Sequence, residues 1–144
     1  MSKVYLDMNI YNRPFDDQAQ VRIRLEAIAV FSILQRIKEG DLQLLWSFML
    51  DYENSLNPNI DIRQEIEQVS ALAGNTIMPD DAILISAQTF EKQGIKPRDA
   101  LHLACAIKGG ADYFLTCDDK IVKRATDINM KVINPVMFVE ETEV

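Results

Sequence analysis

The segment PRDALHLACAIKGGADYFLTCD, residues 97–118, sets the architecture of the chain. Pro97 suits the first position of a helix, where its missing N–H is no loss. That helix runs through Lys108 and stops at Gly109-Gly110. Asp112 to Thr116 (Asp-Tyr-Phe-Leu-Thr) then reads as a strand, and Asp118 lies just past its end.

The same alternation recurs on either side. Residues 3–7 (Lys-Val-Tyr-Leu-Asp) read as a strand ending in a carboxylate, and residues 10–17 as a loop in which Pro14 bars helix at residue 13. Asp16 or Asp17 is expected to cap a helix over about 18–39, closed by Gly40. Its centre, Ala27 to Leu34, is apolar except for Ser32, more than a one-faced helix needs, so the fold or a partner must cover both sides. Residues 42–46 form a second strand, Ser47 caps a short helix to about Leu56, and Asn57-Pro58-Asn59 breaks it. Helices are expected over about 61–73 and 80–93, around a short extended piece at 76–78. A short helix over 119–126, a strand at 131–134 and an acidic tail complete the chain. Strands alternating with helices predict a mainly parallel sheet of four or five strands, with helices on both faces.

With 144 residues, 1–144 is expected to be a single domain able to bury its own core. Apolar residues make up 48%, which excludes a mainly disordered chain. Cys105 and Cys117 have no metal-type spacing, and no disulfide framework is implied. The chain has no run of 18 apolar residues, and Asp7 interrupts any leader-like start, so a soluble, cytoplasmic protein without membrane contact is expected. Fifteen Lys+Arg stand against 22 Asp+Glu, a formal net charge of −7. Such a protein repels nucleic acid on average. A nucleic-acid function would therefore need a local site with neutralised carboxylates.

Ligands in parallel sheets bind beyond the carboxyl ends of the strands. Four acids lie there by this reading: Asp7 after the first strand, Glu53 on the helix leaving the second, Asp99 in the first turn of the 97–108 helix, and Asp118 after the third strand. Each alone has a plain structural reading as a cap, a dipole partner or a solvated charge. Asp51 also competes with Glu53, and Asp119 with Asp118. Together, carboxylates repel one another until a cation enters. Mg²⁺ suits a few carboxylates plus a phosphate, and Mn²⁺ tolerates the same ligands. That chemistry serves hydrolysis of a phosphodiester.

Tyr-Leu-Asp-Met-Asn-Ile at 5–10, Ser47 to Glu53, Pro-Arg-Asp-Ala-Leu-His-Leu-Ala at 97–104 and Leu-Thr-Cys-Asp at 115–118 resemble the PIN-domain nucleases, which include the VapC toxins of bacterial toxin–antitoxin pairs. The resemblance implies a Rossmann-like three-layer α/β/α sandwich and Mg²⁺- or Mn²⁺-dependent cleavage of single-stranded RNA. It implies a catalytic and metal-holding role for Asp7, Glu53, Asp99 and Asp118, an orienting role for Asn9, and a supporting hydroxyl at Thr116. It also implies a homodimer and, for a toxin, a cognate antitoxin. Asp119 is a further nearby carboxylate, and Arg13 a candidate for substrate phosphate. Met8 departs from the family's usual Thr or Ser, which keeps a catalytically inactive RNA- or protein-binding module of this fold as the alternative. A haloacid-dehalogenase-type phosphatase also opens on a strand ending in Asp, but Asn9 stands where that chemistry needs a second aspartate. His102, the only histidine, reads as core within its apolar run, with a general base as the competing reading. Trp46 reads as core, and Tyr11 and Phe15 as loop aromatics that can stack on bases.

Overall fold

Apolar strands that lack alternation must be covered on both faces. In the computed structural model, which describes residues 1–126 and 128–143, the central strand is Val4, Tyr5 and Leu6, all fully buried. Strands β1 (Ser2–Leu6), β2 (Leu42–Ser47), β3 (Thr76–Ile77), β4 (Tyr113–Leu115) and β5 (Lys131–Ile133) form one sheet in the order β3-β2-β1-β4-β5. Every neighbouring pair is parallel. Tyr5 lies opposite Leu45 on one side and Phe114 on the other, and its ring stacks on Phe114 with centroids 5.4 Å apart.

The helices are α1 (Met8–Asn12), α2 (Val21–Lys38), α3 (Phe48–Ser55), α4 (Ile60–Ser70), α5 (Asp81–Lys92), α6 (Pro97–Lys108), α7 (Asp119–Arg124) and α8 (Pro135–Thr142). They pack in two sets, α2 with α8 and α5 with α6. The chain leaves β1 through α2 in one direction along the sheet and returns to β4 through α6 in the other. Right-handed crossovers in opposite directions put the two sets on opposite faces. The result is a three-layer α/β/α sandwich, with its switch point at the carboxyl end of β1. At the end of α6, a Cβ on Gly109 would lie 2.7 Å from Ile77 Cδ1 and 3.0 Å from Leu45 Cδ1. Only glycine lets the helix end sit that close to β2 and β3.

Three local expectations are corrected. The loop expected at 10–17 begins as helix: Asp7 caps α1, accepting from the Met8 N–H, and a 3-10 turn (Arg13–Phe15) follows. Arg13 keeps helical angles ahead of Pro14, held by ion pairs to Asp16 and Glu26. Helix α2 is capped by Gln20 without a side-chain bond, while Asp17 closes a turn on the Ala19 N–H. The tail, expected only to be acidic, contains α8. Asn134 caps it, Pro135 starts it, and the fully buried Phe138 meets Tyr113 edge-on at 4.8 Å. The tail's last residue lies outside the described residues.

Helix α2 buries Val30, Ile33 and Ile37, at about 1.5–3 kcal/mol for each fully buried side chain. Its opposite face leaves Ile28 66% and Phe31 61% exposed. Among the described residues no helix is long and apolar enough to cross a membrane.

Candidate active site

Beyond Leu6 the backbone still pairs with β4, since the Asp7 N–H donates to the Leu115 carbonyl at 3.0 Å. This brings the two strand ends, and the acids after them, level. One oxygen of Asp7 accepts from the Met8 N–H at 2.8 Å. The other accepts from Thr116 Oγ1 at 2.9 Å and from Asn9 Nδ2 at 3.2 Å. Asn9 also donates to Thr116 Oγ1 at 3.1 Å and accepts from the Cys117 N–H at 3.0 Å. Thr116 Oγ1 in turn accepts from the Asp118 N–H at 3.1 Å. Asn9 and Thr116 thus stitch the end of β1 to the end of β4, and Asp7 is buried with its position fixed. Asp118 caps α7, accepting from the Lys120 N–H at 2.9 Å.

Glu53 comes from α3. Ser47 caps that helix, accepting from the Leu50 N–H at 3.3 Å. Asp51, its competitor, turns away to accept from Trp46 Nε1 at 2.7 Å. Glu53 meets the Nε2 of His102, one turn along α6 from Asp99. On its other side, His102 Nδ1 shares a hydrogen bond of 2.7 Å with the Tyr5 hydroxyl, itself 2.6 Å from Ser47 Oγ. The histidine is therefore buried, as a core residue is, and yet bonded through both nitrogens. Burial opposes its charged form, but the hydrogen bond to Glu53 and the charges of Asp7, Glu53 and Asp99 outweigh that and raise its pKa.

The four acids act on one another. Burial first, then the charges of Asp7, Asp118 and Glu53, pushes the Asp99 carboxyl up to about 6, against an ordinary 3.8. Burial also raises Asp7, with Glu53 adding to it. Among the described residues, Asp7, Asp99 and Asp118 have no lysine or arginine ion-pair partner. Among the described residues no three ligand-type side chains are gathered tightly enough to grip an ion as they stand, and Glu53 is turned to His102. As a donor set they nevertheless fit a hard divalent cation: all are carboxylate oxygens, and their mutual repulsion is what such a cation relieves.

Arg13 and Asp119 are occupied elsewhere. Arg13 pairs with Asp16 at 3.0 Å and with Glu26 at 3.1 Å. Arg22 grips Asp119 through both nitrogens, at 2.8 and 2.9 Å. The hub of this brace is Glu26, only 1% exposed, which also accepts from Arg22 Nε at 3.3 Å and from Asn134 Nδ2 at 2.6 Å. The brace ties α2 to the residue next to Asp118. Sequence reading passed over Glu26, although it shares the spacing of Val30, Ile33 and Ile37 on the buried stripe of α2. Tyr11 packs edge-on against Trp46 at 5.3 Å and is buried, so it cannot stack on a base. Phe15 stays exposed. Burial raises the Cys117 thiol to about 12, and it is inert.

Solved structures share the fold of this chain. It resembles the solved structure of FitAB bound to an IR36 DNA fragment, with TM-score 0.61 and 19% identity, covering 92% of this chain and 95% of that one. VapBC2 from Rickettsia felis, bound to a DNA fragment from their promoter, gives TM-score 0.60 and 16% identity, covering 92% and 98%. VapBC-1 from nontypeable Haemophilus influenzae gives 0.54 and 20%, covering 94% and 98%. At these identities the likeness shows the fold. No curated protein matches the chain. The family model of the PIN domain matches residues 4–127. The switch-point acids, the parallel sheet and this match agree, and the chain belongs to the PIN domain family, whose members are generally nucleases.

Proposed function

We propose that this chain is a divalent-metal-dependent endoribonuclease that hydrolyses single-stranded RNA and serves in the cytoplasm as the toxin of a toxin–antitoxin pair. The observation that carries this reading is that Asp7 and Asp118 follow β1 and β4 while Asp99 opens α6 in the same cleft as Asp118, none of them with a lysine or arginine partner among the described residues. Asp7, Glu53, Asp99 and Asp118 would hold Mg²⁺ or Mn²⁺. The bound cation would offset the phosphate's charge and acidify the attacking water.

The chain's own residues do the rest. Asn9 and Thr116 orient Asp7, and Tyr5 and Ser47 hold the His102 ring against Glu53. Lys96 and Lys120 line a small cleft with Asp99 and Asp118, where they can meet flanking phosphates. The complexes formed by the FitAB and VapBC neighbours support an antitoxin partner. The exposed Ile28 and Phe31 support a partner on α2, and we assign that face to a homodimer.

RNA cleavage with Mg²⁺ or Mn²⁺, repeated with Asp7→Asn and Asp99→Asn, tests the reading. Cleavage by the wild type alone is expected, and equal activity in all three proteins overturns it. Calorimetric metal titration separates it from an inactive binding module, which would show no specific divalent site.

A further inference from the structure

A second depression, of about 430 Å³, lies on the Glu53 side of the acids. Its volume falls in the range of small-molecule sites. Asn12, Phe15, Glu53, Asn57 and Arg98 line it, over apolar walls such as Met8 and Leu56. The lining has an unusual balance. The Phe15 ring is 42% exposed, although it is large and apolar. Asn12 precedes the 3-10 turn, but its side chain makes no capping bond there. Asn57 accepts from the Asn59 N–H through its oxygen, which leaves its NH₂ group to donate. Arg98 lies over the Tyr52 ring at 5.5 Å from its centroid and has no acid partner among the described residues.

Phosphate is a poor occupant, because Glu53 also lines the depression and repels it, while Asp16 there is already paired with Arg13. The cleft on the other side of the acids has the opposite character, with Lys96, Lys120 and Arg124 around Asp99 and Asp118. A strand crossing the acids would meet cations on one side. On the other it would meet amides, a guanidinium and an exposed ring.

We infer that the depression lined by Asn12, Phe15, Asn57 and Arg98 is a nucleobase site, which takes the base next to the scissile phosphate. Amides offer both a donor and an acceptor to a base edge. Aromatic and guanidinium planes stack on unpaired bases. The backbone phosphates then run over Lys96 and Lys120. This assignment rests on the ribonuclease reading and specifies which part of the substrate each cleft holds.

The test has two arms. In metal-free buffer, the four nucleoside 5′-monophosphates are titrated against the full chain, and the side-chain amides of Asn12 and Asn57 are followed by NMR. Shifts at both amides, ranked by base, are expected in the wild type, and the Asn57 shift should shrink in Asn12→Ala. In the second arm, RNAs carrying each base beside one fixed cleavable phosphate are cleaved. Phe15→Ala should raise KM about tenfold. Asn12→Ala, which removes a side chain with no hydrogen bond among the described residues, should flatten the base preference. Shifts absent from this cleft, or confined to the Lys96 and Lys120 side, overturn the inference, as does an unchanged base preference in both variants. A wild type that cleaves no RNA but binds the monophosphates here refutes the catalytic reading and leaves the base site standing. Cleavage without binding here does the reverse.

Discussion

Asp99→Asn should stabilise the metal-free protein while abolishing its cleavage of RNA. The carboxyl is raised from an ordinary 3.8 to about 6 by burial and by the charges of Asp7 and Asp118. At about 1.4 kcal/mol per tenfold change in proton affinity, that rise corresponds to roughly 3 kcal/mol against the ionised form at pH 7. The group is only half-buried, so solvent screening reduces the figure to about 1–1.5 kcal/mol. For a chain of 144 residues the melting temperature should rise by about 3–5 °C. The pH dependence follows from the sign. The folded carboxyl holds its proton more tightly than the unfolded one, so the cost is fully present above about 6 and fades as pH falls toward 4. Metal-free wild type should therefore gain stability between pH 7 and pH 5, and Asp99→Asn should gain less. Adding Mg²⁺ should raise the wild-type melting temperature, by mass action on the folded state, and move the variant little. Thermal melts in chelator and in Mg²⁺ at both pH values read all three effects. A variant that melts at or below the wild type in chelator at pH 7 would refute the idea that these acids repel one another across one site.

Glu26→Ala should cost about 1–3 kcal/mol in denaturant unfolding, because Arg13 and Asn134 lose a buried acceptor while Asp16 and Asp119 still pair Arg13 and Arg22, and a loss under about 0.5 kcal/mol would show the brace to be idle. His102→Ala should weaken Mn²⁺ binding about 10–100-fold by releasing Glu53, with a smaller effect from Tyr5→Phe; calorimetry that finds wild-type affinity in both counts against the relay. Ile28→Lys combined with Phe31→Glu should weaken self-association, and an unchanged mass by light scattering would remove α2 from the dimer interface.

Much of the site was open to reading along the chain. Asp7 and Asp118 follow strands, and each caps the helix that comes next. Asp99 follows Pro97 into the first turn of α6. Such signals are spelled within a few residues of each acid, as are the strand–helix alternation and the parallel sheet it demands. The segment 8–15 misled, because Pro14 signals a break locally while Asp7 and the pairs to Arg13 favour a helical path. Helix α8 was missed because its core residue, Phe138, is anchored by Tyr113 and Arg36 rather than by periodicity of its own.

The acids, their order along the chain and their places, Asp7 and Asp118 after strands and Glu53 and Asp99 on helices, could be read from composition and spacing, because strand ends and caps are short-range chemistry. Which partner each one takes could not. Glu53 meets His102, 49 residues away, Tyr5 reaches the same ring across 97, and Glu26 is satisfied by Asn134 across 108. Those distances close only because β1 lies between β2 and β4, so that α3, α6 and α7 converge above one end of the sheet. Side-chain partners at such separations follow from packing the whole chain, and no window of a dozen residues holds that information.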